Sequence, residues 1–166
     1  MSSIANTTTP SFKPAFTRVQ QTDDCNCAFA CIAMLASKTI DEVRQVAIEK
    51  FKHPKHGPYW IGEDLIAKLL THYGWVGTVF KASTGLASLP DTAIAMVDYN
   101  PDTEIGRHVL FNRVVPPGAK QAVEYIIDPA YWVDTVQQIR TDIKGFPISW
   151  YIGVHPMAKT VAKTDK

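Results

Sequence analysis

The sequence has few cysteines and almost no excess charge, and each shortage excludes a class of protein. Its three cysteines, Cys25, Cys27 and Cys31, are confined to one short stretch. An odd and crowded set of this kind does not form the disulfide framework of a small secreted protein. The formal net charge is +1 at pH 7, so no basic surface for nucleic acid is expected. With 166 residues, the chain suits one domain with a core of its own.

Long apolar runs are also missing from the sequence. No stretch approaches the ~18 consecutive apolar residues that a membrane span requires, and the N-terminal segment has no apolar core of signal-peptide length. We therefore expect a cytoplasmic protein without a membrane span, with export by a route that needs no cleaved signal as the alternative. The pattern does not indicate an oligomeric state.

The apolar periodicity predicts helices first and strands afterwards. Helices are predicted near 27–37, 41–51, 63–73 and, as a short one, 135–145; strands are predicted near 75–80, 92–99, 108–115, 122–128 and 148–154. Helices followed by mostly adjacent strands are typical of an α+β fold with an antiparallel sheet. We expect a single domain at 18–157, flanked by flexible arms at 1–17 and 158–166.

The stretch QQTDDCNCAFACIAM changes from polar to apolar at Cys27. A helix capped by Asp23, Asp24 or Asn26 would begin there. A thiol in the first turn of a helix feels the positive end of the helix dipole and unpaired backbone N–H groups, and both lower its pKa. Cys27 is therefore the candidate nucleophile and the thiol expected to react fastest, whereas Cys31 lies in mid-helix and is expected in the core.

A metal site is the alternative use of these cysteines. A structural zinc site needs four ligands in tetrahedral reach, and Cys25 and Cys27 supply at most two. His53 and His56 lie in a proline-broken loop, and the sequence has no CxxC pattern. We expect no metal and no other cofactor.

A nucleophilic thiol needs a base, a group that orients the base, and donors for the oxyanion. His108 opens the apolar strand HVLFNRVV, and Asp128 ends the next strand. On adjacent strands, the carboxylate could hold one imidazole nitrogen while the other faces Cys27. Purely structural roles for both residues, in a strand start and an Asp-Pro turn, stay open. The Gln21 amide and the backbone N–H of Cys27 are the candidate oxyanion donors.

The segment QTDDCNCAFACIAM resembles the active-site segment of the bacteriocin-leader peptidases, a branch of the papain-like cysteine peptidases. RHVLFNRV and YIIDPAYW are similar to the family's later histidine and Asp-Pro elements, so the likeness covers about 20–132. It implies a papain-like fold with N-terminal helices packed on an antiparallel sheet. It also implies that Cys27 is the nucleophile, His108 the base, Asp128 its orienting partner and Gln21 an oxyanion donor, with a peptide or protein as substrate.

Two residues depart from the family's pattern: Asn26 stands where Asp is usual, and Ala28 where Gly is usual. A register two residues earlier would make Cys25 the nucleophile, but it loses the matches that follow Cys27. The leader peptidases are fused to an ATP-driven exporter, which this sequence does not contain, so their leader-processing role is not carried over.

The predicted function is a cysteine hydrolase that cleaves a peptide or amide bond through a Cys-His-Asp triad and an acyl-enzyme. Two alternatives stay open. One is an acyltransferase, transglutaminase-like or deamidase-like enzyme on the same triad, and the other is a non-catalytic binding protein of this fold.

Overall fold

The computed structural model describes residues 13–56 and 60–158. Within these ranges the helices come first and the long strands follow. In chain order the elements are α1 (Cys27–Ala36), α2 (Ile40–Phe51), α3 (Glu63–His72), β1 (Trp75–Gly77), β2 (Lys81–Ala82), a 3₁₀ turn (Leu86–Ser88), β3 (Thr92–Asn100), β4 (Ile105–Val114), β5 (Val123–Ile127), α4 (Thr135–Gln138), β6 (Ile139–Arg140) and β7 (Ile148–Pro156).

The strands of the described residues form one seven-stranded sheet in the order β1-β7-β3-β4-β5-β6, with β2 also paired to β7. Every pairing is antiparallel. The predicted α+β class with helices and an antiparallel sheet is confirmed. No helix of the described ranges is long and apolar enough to cross a membrane.

The sheet has a separate core on each of its faces, because neighbouring residues of a strand point to opposite sides. On one face the helices pack over Ile94, Leu110 and Ile127. On the other face Val109 and Ile126 pack beneath the connecting segments. This alternation decides which polar side chains can meet at the ends of the strands.

Helix α1 runs through the middle of the first core. All of its residues from Cys27 to Leu35 are buried, and small side chains at Ala28, Ala30 and Ala33 let the neighbouring elements approach its backbone closely. Cys31 is fully buried, as predicted from its mid-helix position. The deep placement of α1 brings its N-terminus against the sheet rather than leaving it at the surface.

Two predicted elements differ from the structure. The strand expected at 75–80 ends at Gly77, and the separate strand β2 follows it, because the backbone N–H of Phe80 donates to the Glu63 carboxylate between the two. The short helix expected to reach Gly145 ends at Gln138, and Ile139 then pairs with β5 as part of β6. Backbone pairing with a neighbouring strand outweighs local helix propensity there.

The chain before the first helix lies against the domain in its described part. Phe16 packs edge-to-face on Trp75, and the backbone N–H of Ala15 donates to the Tyr125 hydroxyl at 2.8 Å. Of the arms predicted at 1–17 and 158–166, only residues 13–17 and 158 are among the described residues.

Candidate active site

Cys27 and His108 meet although they are 81 residues apart in sequence. Cys27 begins α1, and His108 lies in β4 on the same sheet face as Leu110. The Cys27 Sγ lies 3.3 Å from His108 Nδ1, and the backbone N–H of His108 donates to the same sulfur at 3.2 Å. Because a neutral imidazole can accept a proton at one ring nitrogen, this contact suits transfer of the thiol proton to His108.

The loop before α1 is held by its own polar side chains. The Asp23 carboxylate accepts from the backbone N–H groups of Cys25 and Asn26, and the Asn26 side chain bonds back to Thr22. Asn26 is the residue before the helix, yet its side chain makes no capping hydrogen bond to it. The prediction of a side-chain cap at this helix is therefore wrong, and the first turn of α1 keeps backbone N–H groups near the Cys27 sulfur.

The predicted lowering of the Cys27 pKa is also wrong, because burial raises the pKa of this thiol. The backbone N–H of His108 and the positive charge of Arg107, both in β4, act in the opposite direction, as do the N–H groups of Ala28 and Cys27 at the helix start. Together they do not outweigh desolvation. Cys27 is only 6% exposed. In the free protein the sulfur keeps its proton at neutral pH.

This environment changes the expected order of thiol labelling. With iodoacetamide at neutral pH, the exposed Cys25 should react first, Cys27 more slowly, and the buried Cys31 only after unfolding. The rate at Cys27 should rise with pH, because only the thiolate reacts. Peptide mapping by mass spectrometry measures all three sites, and faster labelling of Cys27 than of Cys25 at neutral pH would contradict the expectation.

His108 is a buried imidazole with one free nitrogen. Burial lowers the pKa of His108 to about 4. Its Nε2 has no hydrogen-bond partner among the described residues, and the Phe80 ring lies beside it with ring centroids 6.0 Å apart. His108 is therefore neutral at pH 7 and able to act as a base.

The lowered pKa of His108 makes the stability of the protein depend on pH. The unfolded chain binds a proton at this residue near pH 6.5, whereas the folded chain binds it only near pH 4. Above pH 6.5 His108 is neutral in both states, and the free energy of unfolding is at its full value with respect to this residue. As the pH falls to about 4, this residue lowers the free energy of unfolding by about 3 kcal/mol.

Urea unfolding at pH 7 and pH 4 measures this contribution by comparing the wild type with His108→Asn, which cannot titrate. The loss of unfolding free energy between the two pH values should be about 3 kcal/mol smaller in the variant. An exposed-site control, His56→Asn, should behave as the wild type. Equal pH dependence in all three proteins would mean that His108 is not buried as a neutral group.

Asp128 does not contact the imidazole of His108, contrary to the predicted triad. Both of its carboxylate oxygens accept from Arg107 Nη1, at 2.6 and 2.7 Å, and Oδ1 also accepts from the backbone N–H of Ala130. Strand alternation explains the difference, since Asp128 follows the parity of Ile126 on the sheet face opposite to His108.

Gln21 is buried rather than solvated, with 2% of its surface exposed. Its backbone N–H donates to the Pro129 carbonyl at 2.7 Å, which ties the segment before α1 to the segment after β5. Its side-chain Nε2 donates to the Asp23 carbonyl at 3.1 Å, and its Oε1 has no partner in the described part of the chain. One N–H of the amide is thus left for another acceptor.

Two arginines of this region were not singled out from the sequence. Arg107 binds Asp128, and Arg18 donates to the backbone carbonyls of Asp128 and Ala130 at 2.7 and 2.8 Å. The sequence RHVLFNRV shows that Arg107, one position from His108, would lie on the opposite face of a strand. That Asp128 lies on the same face as Arg107 is shown only by the structure. The described residues contain no group of three or more His, Cys, Asp and Glu that could hold a metal ion.

A comparison with models of known protein families finds no match, and no similar sequence is found among curated proteins. The function is therefore inferred from the geometry of the residues themselves.

Proposed function

We propose that this protein is a papain-like cysteine hydrolase that cleaves a peptide or amide bond through an acyl-enzyme on Cys27. The contact between Cys27 Sγ and His108 Nδ1 at 3.3 Å carries the proposal. Among the described residues, it joins the one cysteine that begins a helix to a neutral, buried base. The resemblance to the bacteriocin-leader peptidases supports the same pairing.

The proposed reaction begins from a neutral pair. As Cys27 Sγ attacks the carbonyl carbon of the substrate, His108 Nδ1 takes the thiol proton, and the carbonyl oxygen becomes an oxyanion. The tetrahedral intermediate collapses, the C–N bond breaks, and His108 returns the proton to the leaving amine. Water then loses a proton to His108 and attacks the thioester carbonyl, the C–S bond breaks, and His108 returns the proton to the Cys27 sulfur as the acid is released.

The donors proposed for the oxyanion are the free amide N–H of Gln21 and the backbone N–H of Cys27. Asp128 takes no direct part in this scheme, since its carboxylate is occupied by Arg107 and Ala130. The working unit of the free protein is therefore proposed as a Cys27–His108 dyad rather than a triad.

A non-catalytic binding protein is the second candidate, and two observations favour it. Burial raises the pKa of the Cys27 thiol, and His108 Nε2 has no partner within the described ranges to orient the ring. Both features would suit a pair that is retained for packing alone.

A peptidyl acyloxymethyl ketone distinguishes the hydrolase from the non-catalytic binding protein. Its reaction with a thiol requires that the peptide part is bound and that a base assists the thiol. The parent protein is Cys25→Ser, which removes the exposed thiol. Intact-mass analysis should show one adduct, mapped to Cys27, that forms at least ~100-fold more slowly in His108→Ala. Equal rates with and without His108, or no adduct across a panel of peptide sequences, would contradict the hydrolase.

A cleaved peptide from the same panel distinguishes hydrolysis from acyl transfer. When a primary amine is added, a hydrolase releases the free acid as the main product, and a transferase forms the amide. A main product that contains the amine would replace the proposed hydrolysis by transfer.

A further inference from the structure

The end of β4 that carries His108 is paired by backbone hydrogen bonds on one side only. On the β3 side, Met96 pairs with His108, and the register becomes irregular beyond Val97. On the β5 side, the last pair is Leu110 with Ile127. Continuing that register would put Pro129 opposite His108, and proline has no N–H to donate. The strand needs other contacts to hold this end in place.

Arg107 supplies those contacts on both sides. Its Nη1 donates to both carboxylate oxygens of Asp128, directly after β5, and its Nε donates to Asp98 of β3 at 2.5 Å. Asp98 is exposed and adopts a φ of +52°, at the irregularity in the β3 register. Arg107 therefore joins β3, β4 and the end of β5 beside His108, where the β4–β5 ladder has ended and the β3–β4 register becomes irregular.

Arg113 makes the same kind of contact at the other end of β4. It donates to Asp91, just before β3, and to Glu124 of β5, at 3.2 and 3.1 Å. The two arginines differ in their surroundings, because the Arg107–Asp128 pair is the more buried. The Arg107 and Asp128 side chains are 18% and 4% exposed, against 23% and 35% for Arg113 and Glu124.

Arg107 also differs from Arg113 in what its charge can reach. The positive charge of Arg107 acts to lower the pKa of the Cys27 thiol, whereas at the deeper Cys31 thiol it is opposed by the negative charge of Asp128. A guanidinium keeps its charge at every working pH, whereas His108 is neutral. Arg107 is therefore a permanent cation that acts on the Cys27 thiol from the residue before His108 in β4, while it is paired with Asp98 and Asp128.

We propose that Arg107 is a positioning residue of this site, which clamps the His108 end of β4 to Asp98 and Asp128 and holds a fixed positive charge that stabilises negative charge on the Cys27 sulfur. The inference rests on the proposed function. On this inference, Asp128 orients Arg107 and does not orient the His108 imidazole.

The test measures the pH profile of Cys27 alkylation by iodoacetamide in the Cys25→Ser protein. Arg107→Met alone would leave the Asp128 carboxylate buried without its ion-pair partner, so the informative variant is Arg107→Met combined with Asp128→Asn, compared with Asp128→Asn alone. The Arg107 change should move the profile to higher pH, so that the rate of Cys27 alkylation at pH 8 falls severalfold. Arg107→Lys, with Asp128 intact, should recover most of the rate because the charge is kept.

The matched control is Arg113→Met with Glu124→Gln, which removes the equivalent clamp away from Cys27. It should leave the pH profile of Cys27 unchanged, and urea unfolding shows that each variant is folded at the pH of the assay. An unchanged profile after Arg107→Met, or an equal shift in the Arg113 control, would overturn the inference.

Failure of the inference and failure of the proposed function give different results. If His108→Ala leaves reaction with the peptidyl acyloxymethyl ketone as fast as in the parent protein, the proposed hydrolase is wrong, and the inference falls with it. If that reaction depends on His108 while the Cys27 profile ignores Arg107, the hydrolase stands and only the role of Arg107 is overturned.

Discussion

His108→Ala is expected to lower the turnover of a cleaved peptide by about 10²–10⁴-fold, the usual range for loss of a general base. The structure explains why no other residue replaces it. His108 Nδ1 is the only ring nitrogen of the described residues in contact with the Cys27 sulfur. Burial raises the pKa of that thiol, so without a base it rarely loses its proton at neutral pH. The measurement is kcat on a peptide identified in the panel.

The control for this variant is His56→Ala, an exposed histidine in the loop after α2, which should turn over as the wild type does. Asp128→Ala should reduce turnover less than His108→Ala, because Asp128 acts through Arg107 and transfers no proton. Wild-type turnover by His108→Ala, in a preparation with a normal unfolding transition, would remove the assigned base and with it the mechanism.

Gln21→Ala is expected to lower kcat by roughly 10²–10³-fold, or about 3–4 kcal/mol in the transition state. The second N–H of its amide is proposed to donate to the oxyanion, which develops only during the reaction. The loss should therefore appear in kcat rather than in KM.

Because Gln21 is buried and donates to the Asp23 carbonyl, the alanine variant should also lose about 1 kcal/mol of unfolding free energy. Gln20→Ala is the matched control, since Gln20 is the exposed neighbour of the same residue type. It should preserve both kcat and stability. Full turnover by Gln21→Ala would exclude this amide from the oxyanion site and leave that role to backbone N–H groups.

Local pattern was enough to predict most of the elements in this chain. The apolar run after Cys27, the stripe on 41–51 and the alternating strands after Trp75 carry periodicities of 3.6 and 2 that depend only on nearby residues. The order of helices and strands then predicted the α+β class. The contact between Cys27 and His108 was also predictable. A cysteine at a helix start and a histidine at a strand start are a candidate nucleophile and base, and the family resemblance places them in the same order along the chain.

The sequence alone determined which residues were available for the site, and the tertiary structure decided what each of them contacts. Asp128 was assigned to His108 because both lie on adjacent strands, but the parity of the two strands puts Asp128 on the face of Arg107. The Cys27 pKa was expected to fall at a helix N-terminus, yet the depth of α1 in the core raises it. The sheet face of Asp128 and the burial of α1 depend on how strands pair and helices pack between segments that are distant in sequence. The residues near Asp128 and Cys27 therefore do not predict them.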